Sequence, residues 1–238
     1  MKNRVASLLL MGLMIMGSVS AWACAADAQL ARPHCRTEQL AYGICVTTDM
    51  DKAAQITEGP IFRAQFNGVV NAAKAYLDTL TPDAKKVAIF DLDETLVNNL
   101  AFYRQYKTFD PTHWNEWVNE NKDGPYNQPV LDLVNYAKAK GFAVMFLTGR
   151  TADIAHDTLE QVHAIAWDGV FFRPGGTQPS SSRVFKAQVR KMLTAMGYQV
   201  VLNIGDQASD LDGPVDLSHP GQQSPGQFLL PNVMYSIP

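Results

Sequence analysis

Histidine is scarce in this chain of 238 residues: His34, His113, His156, His163 and His219 are the only five, and no pair falls at a metal-ligand spacing. They read as surface or packing residues, so histidine carries no metal site here. A positive excess is also missing. The formal net charge is −3, which leaves no basic footprint for nucleic acid. There is no internal repeat and no low-complexity tract. At 47% hydrophobic and 18% charged residues the composition is that of a globular protein, and the length suits one domain carrying an insertion. Apolar runs of membrane-spanning length are absent; the longest, Leu8 to Met16, follows Lys2 and Arg4 and gives way to small residues as far as Ala21-Trp22-Ala23. That pattern is too short for a stable span and predicts a secretory signal peptide over residues 1–23. Its removal takes away two positive charges and makes the protein periplasmic or secreted. Cys24 at the cut raises an outer-membrane lipoprotein as the alternative, although Trp22 stands where such sites carry a small residue. Cys35 and Cys45 remain; in an oxidising compartment they either close a short loop, worth roughly 2 to 3 kcal/mol, or stay as two thiols, and sequence does not decide the pairing.

What the chain does contain is a set of apolar runs that end abruptly in polar residues. Val87-Ala88-Ile89-Phe90 stops at Asp91-Leu92-Asp93-Glu94-Thr95. This predicts a buried parallel strand whose C-terminal end opens into a site, the place where ligands bind in open α/β sheets. Asp91 and Asp93 are two apart and share a face if the chain stays extended, a crowding of anions that implies a metal cation. A second run, Phe142 to Leu147, stops at Thr148-Gly149-Arg150, and a third, Val200 to Ile204, stops at Gly205-Asp206 with Asp210 four residues on. Between them, Ser182 to Gly197 has helical periodicity, with Lys186 near its start and Val189, Met192, Leu193 and Met196 on one face. Carboxylates, a hydroxyl, a glycine turn and a lysine gathered at strand ends form an inventory for phosphoryl transfer.

The remaining organisation follows from periodicity. Residues 24–60 form an irregular N-terminal extension. Ile61 to Leu80 predicts a helix packed on the sheet, Leu131 to Lys140 a crossover helix, and Thr151 to Ala166 a further helix on which Asp153 and His156 read as surface residues. Gly169 to Phe172 and Gln227 to Leu230 are short strands, separated from their neighbours by loops at Arg173 to Ser182 and Gly213 to Gly226. From about 98 to 129 the sequence turns aromatic and polar, with Phe102, Tyr103, Tyr106, Phe109, Trp114, Trp117 and Tyr126. A segment this long between the first two strands exceeds one crossover helix and reads as an inserted cap. The expected fold is therefore α/β, a Rossmann-like open parallel sheet with a small aromatic-rich cap after the first strand.

In order and strand context the motifs Asp91-Leu92-Asp93-Glu94-Thr95, Thr148-Gly149-Arg150, Lys186 and Gly205-Asp206-Gln207-Ala208-Ser209-Asp210 resemble those of the haloacid dehalogenase superfamily of phosphatases. The likeness is closer to the secreted class B-like acid phosphatases, a branch that includes plant acid phosphatases and vegetative storage proteins. It extends over residues 61–238 through Asn99 and Tyr103, Phe185-Lys186 with Arg190, Asn203 to Gln207, and the tail Leu230-Pro231-Asn232 with Met234-Tyr235. Two departures stand out: Ala208, where the plant relatives usually have tryptophan, and a longer loop from Gly213 to Gly226.

The resemblance implies roles. Asp91 attacks phosphorus and forms an aspartyl phosphate, and Asp93 is the general acid and then base. Mg2+ is held by Asp91, Asp206 and the backbone carbonyl of Asp93, with Asp210 in or near the coordination sphere. Thr148, with Gly149, and Lys186 bind the phosphate. Asn99 and Tyr103 are candidate substrate contacts, whereas Arg150 and Arg190 suit either substrate or structural ion pairs. The implied activity is a secreted magnesium-dependent acid phosphatase acting on small phosphomonoesters. The alternatives are a phosphotransferase and a non-catalytic storage or binding protein of the same fold.

Overall fold

The computed structural model describes residues 49–175 and 181–237. The predicted signal peptide, Cys24, Cys35, Cys45 and most of the N-terminal extension lie outside the described residues. Helix α1 (Met50–Thr57) starts at Asp49, whose carboxylate accepts the backbone N–H groups of Asp51 and Lys52 at 3.1 Å. Helix α2 (Pro60–Asp78) starts with proline at its first turn and buries Phe62, Phe66, Val69, Val70, Ala73 and Leu77 along one stripe.

Strand β1 (Lys86–Phe90) lies inside a six-stranded sheet. Its neighbours are β2 (Ala143–Thr151), β3 (Gly169–Arg173), β4 (Gln199–Gly205), β5 (Gly221–Ser224) and β6 (Gln227–Leu229), in the order β3-β2-β1-β4-β6-β5. All pairings are parallel except β5 with β6. The apolar runs alternate between two buried faces. Ala88, Phe90, Val144, Phe146, Leu202 and Ile204 join the larger core, to which α1, α2 and helix α5 (Gln128–Lys140) contribute. Val87, Ile89, Ala143, Met145 and Leu147 pack with Phe185, Val189 and Leu193 of helix α7 (Ser182–Ala195). Both faces being covered is why these strands read as continuous apolar runs. Chain order reverses beside β1, with β2 on one side and β4 on the other, and such a switch point opens a crevice at the carboxyl ends of the strands.

The insertion folds into two helices, α3 (Leu100–Tyr106) and α4 (Pro111–Glu120). Its two ends are tied together where Asn98 N–H donates to the Pro125 carbonyl and Asn127 N–H to that of Leu96, both at 2.8 Å. Most of its aromatics pack on each other. The Phe102 ring is fully buried, 5.0 Å from Trp114 and Tyr106, 5.1 Å from Tyr103 and 6.0 Å from Trp117. His113 stacks on Tyr106 at 4.5 Å, a packing role.

Four expectations need correction. Strand β2 does not stop at Leu147 but continues through Thr148, Gly149 and Arg150 to Thr151, because pairing with β3 resumes at Arg173. The following helix is accordingly shorter, α6 (Ala155–Val162), entered through a 3-10 turn at Ala152–Ile154. The loop from Gly213 to Gly226 contains β5, which turns back on β6 through Pro225-Gly226; Gly226, at φ 77°, takes the left-handed conformation that glycine tolerates. On α7 Met192 and Met196 are 42% and 59% exposed. The helix is rotated from the purely apolar expectation, so its buried stripe is Phe185, Lys186, Val189, Arg190 and Leu193, with two cations facing inward. Among the described residues, no helix is long and apolar enough to cross a membrane.

Candidate active site

Three carboxylates meet at the switch point. Asp91 follows β1, Asp206 follows β4, and Asp210 ends a 3-10 turn at Ala208–Asp210; one oxygen from each lies within 4.8 Å of the others. All three are buried. Gly205 is what allows this approach, since a Cβ there would collide with the Asp210 side chain. Arg190 holds the turn in place by donating to the carbonyls of Ser209, Asp210 and Leu211 at 3.2, 3.3 and 3.1 Å. It is thus a structural clamp on the backbone, bonded to carbonyls where a substrate contact or a structural ion pair was expected.

Lys186 projects from the buried face of α7 into this cluster, its Nζ 2.6 Å from Asp91 Oδ1 and 2.5 Å from Asp210 Oδ1. The other Asp210 oxygen accepts Gln207 N–H at 2.7 Å. Asp206 accepts from Thr95 Oγ1 at 3.1 Å, Gln207 Nε2 at 2.5 Å and Asn232 Nδ2 at 2.7 Å. Burial, followed by repulsion from Asp210, raises the proton affinity of Asp91 well above the usual carboxylate range, against the pull of Lys186. The same two causes push Asp206 up to about 7. For Lys186, burial works to lower the pKa, but Asp210 and Asp91 outweigh it and hold the ammonium above its ordinary value. With all three carboxylates ionised, the one ammonium leaves two negative charges uncompensated, and every donor is a hard oxygen. That set fits a divalent cation.

Asp93 stands apart from the cluster. Arg150, at the end of β2, reaches it with Nη2 at 2.7 Å and Nε at 3.1 Å, and Asn99 Nδ2 donates at 3.0 Å. Asn99 was expected to contact substrate; it is instead fully buried and does not line the cavity, because its amide is turned toward Asp93. Thr148 is fully buried as well, its hydroxyl accepting Arg150 N–H at 3.1 Å, while its neighbour Gly149 reaches the cavity wall.

A cavity of about 820 Å³ opens above Asp91, Asp93 and Lys186. The insertion contributes Tyr103, Phe109 and Trp114 to its wall, and the C-terminal tail contributes Met234 to Ile237. Arg173 and Asp153 also line it. The latter read from sequence as a helix-surface residue, yet the 3-10 turn after β2 carries it to the cavity. Glu94 has no role of its own in the sequence motif. Its backbone is left-handed, φ 56°, and its buried carboxylate accepts Asn99 N–H at 3.2 Å and the hydroxyl of Tyr235, whose ring lies 5.5 Å from Tyr103. A positive φ at a non-glycine residue stores strain, and here a side chain bonded at both oxygens holds it. The tail's Tyr235 is the partner that no local pattern around Glu94 could name.

The family model of the HAD superfamily, subfamily IIIB (acid phosphatase), matches residues 22–238. The chain belongs to that family. It is a phosphatase, a hydrolase, as its site inventory indicated. It is 30% identical over 196 residues to acid phosphatase 1 of Solanum lycopersicum, covering 79% of this chain and 74% of the relative. It is also 31% identical over 168 residues to vegetative storage protein 2 of Arabidopsis thaliana, 67% of this chain and 59% of the relative. Among solved structures, the class C acid phosphatase of Bacillus anthracis superposes with a TM-score of 0.61 over 83% of this chain and 87% of that one; at 17% identity this shows a shared α/β fold. The haloacid dehalogenase family generally uses a divalent metal, and the Asp91, Asp206 and Asp210 cluster can bind one.

Proposed function

We propose that this protein is a secreted, magnesium-dependent acid phosphatase that hydrolyses small phosphomonoesters through a phosphoryl group carried on Asp91. The observation that carries the reading is the buried cluster of Asp91, Asp206 and Asp210 around Lys186, two charges short of neutrality, at the floor of a cavity open to substrate. Asp91, Asp206 and Asp210, with the Asp93 carbonyl, would hold Mg2+, which would supply screening between the phosphate and the carboxylates and offset developing charge. Asp91 attacks phosphorus, and the leaving alcohol takes a proton from Asp93. Asp93 then removes a proton from the water that releases phosphate. Lys186 neutralises the equatorial oxygens, with Gly149 at the cavity wall as a further phosphate contact, while Thr148, expected to join it, is fully buried with its hydroxyl on Arg150 N–H. Export rests on the basic and then apolar pattern of residues 1–23, and N-terminal sequencing with cell fractionation tests it.

Rapid acid quenching with a phosphate-labelled substrate should trap label on the protein, and peptide mapping should find it at Asp91. Full turnover with no trapped label would remove the covalent route. The same assay with added glycerol distinguishes hydrolysis from transfer, since a transferase delivers label to glycerol. Storage proteins of this family motivate the non-catalytic alternative, but an intact Asp91 and Asp93 at an open cavity favour catalysis.

The cavity wall bears on substrate choice. Tyr103 and Trp114 are largely buried in the aromatic core of the insertion, so Phe109, 58% exposed at the wall, is the residue best placed to stack on a flat leaving group. Aryl phosphates should be preferred over glycerol phosphate. Phe109→Ala should raise the Michaelis constant for aryl substrates by roughly fivefold, about 1 kcal/mol of lost stacking, and leave glycerol phosphate unchanged. Equal changes on both would return substrate choice to other residues.

A further inference from the structure

We propose that Arg150, together with Asn99, is a positioning residue that fixes which oxygen of Asp93 carries the transferable proton; this rests on the reading of Asp93 as the acid and base. The two carboxyl oxygens are not equivalent. Oδ1 receives Arg150 Nη2 at 2.7 Å, Arg150 Nε at 3.1 Å and Asn99 Nδ2 at 3.0 Å. Oδ2 receives only the second branch of the same Nε–H, at 3.1 Å. Nη2–H and the Asn99 amide fill the two lone pairs of Oδ1 while Nε–H is shared evenly between the oxygens, so the proton the carboxyl exchanges belongs on Oδ2.

Arg150 can impose this because it is itself immobilised. Its Nη1 donates to Thr158 Oγ1 at 3.1 Å and Gln161 Oε1 at 2.8 Å, both on α6. Gln161 in turn donates to the Asn121 carbonyl of the insertion at 2.8 Å, and the guanidinium lies 5.4 Å from the centre of the Trp114 ring. The insertion and α6 thus brace the arginine, and the arginine braces the acid. In the first displacement the bond from Asp91 to phosphorus forms, the bond from phosphorus to the leaving oxygen breaks, and the proton on Asp93 Oδ2 goes to that oxygen. The carboxylate left behind is held by the same fork. In the second, water oxygen bonds to phosphorus, the bond to Asp91 breaks, and the water proton returns to Oδ2.

A lysine at 150 keeps the charge but loses the rigid fork. The leaving group reports the consequence, since glycerol is a poor leaving group that needs the acid and p-nitrophenolate leaves with little help. Arg150→Lys should lower kcat/KM for glycerol phosphate by about 100-fold and for p-nitrophenyl phosphate by less than about threefold. Asn99→Ala should act in the same sense, by about tenfold on glycerol phosphate. Inhibition by inorganic phosphate should stay the same in both. Asp93→Asn is the reference. If it impairs both esters alike, the acid assignment fails before Arg150 is judged. If it is selective while Arg150→Lys and Asn99→Ala are not, the positioning role is overturned. It is equally overturned if Arg150→Lys slows both esters equally and weakens phosphate inhibition, which would make Arg150 a phosphate ligand. Should Arg150→Lys melt below the assay temperature, Asn99→Ala decides alone.

Discussion

Asp91→Asn is expected to lower turnover by about 10⁴-fold or more while the metal-free variant melts no lower than the parent. The amide keeps the size of the side chain and an oxygen that can accept from Lys186, but it is a far weaker nucleophile. It also removes one anion from a buried group in which Asp210 and Asp206 already raise the proton affinity of Asp91. Lys186 retains Asp210 at 2.5 Å, so the ammonium is not left unpaired. Initial rates on p-nitrophenyl phosphate, with thermal melts monitored by circular dichroism, check both halves. Turnover within tenfold of the parent would take the nucleophile's role from Asp91.

Chelation should abolish activity and Mg2+ should restore it, and the metal-free protein should show the cost of the empty charge in its pH dependence. Burial and Asp210 raise the folded-state affinity of Asp206 from 3.8 to about 7. Between these values the folded chain holds a proton that the unfolded chain has released. The resulting stabilisation is complete below the unfolded value and drains away as pH rises through the folded one. Asp91, raised in the same direction, adds to the trend. Melting temperature in the metal-free state should therefore fall from about pH 5 to about pH 7, by about 2 to 4 °C for each kcal/mol lost in a chain of this size. Added Mg2+ should recover most at the upper end, where protons no longer compete for the carboxylates. Scanning fluorimetry with and without Mg2+ across this range decides. A flat metal-free profile, or a larger Mg2+ shift at the lower pH, would contradict the charge balance proposed for the site.

The parts of the site that could be read in advance are those where chemistry sits at the end of a buried strand. Asp91 after Val87 to Phe90 and Asp206 after Val200 to Ile204 announce themselves by the break from apolar to acidic, and both strands lie side by side in the sheet. Lys186 was legible as an inventory residue, although the face assigned to its helix was not: Met192 and Met196 fit an apolar stripe, but the observed rotation buries Lys186 and Arg190 because carboxylates and backbone carbonyls are there to receive them. Periodicity counts apolar side chains and cannot see a partner that makes a buried cation favourable. The same blindness left the partner of Asn99 unread, since its amide serves Asp93, and hid Asp153, which a change from helix to 3-10 turn brings to the cavity.

By itself the sequence determined the strand-forming runs, the helices between them, the inserted aromatic segment and the residue types for phosphoryl transfer. Each of these is encoded locally, in burial pattern and in the abrupt change at a strand end. Tertiary structure alone decided which groups meet: Asp91 with Asp210 across Lys186, Asp93 with Arg150, and Glu94 with Tyr235, 141 residues further along the chain. Those pairings depend on strand order and helix rotation, which set distances between segments remote in sequence, and the charge balance that favours a metal exists only once they are made.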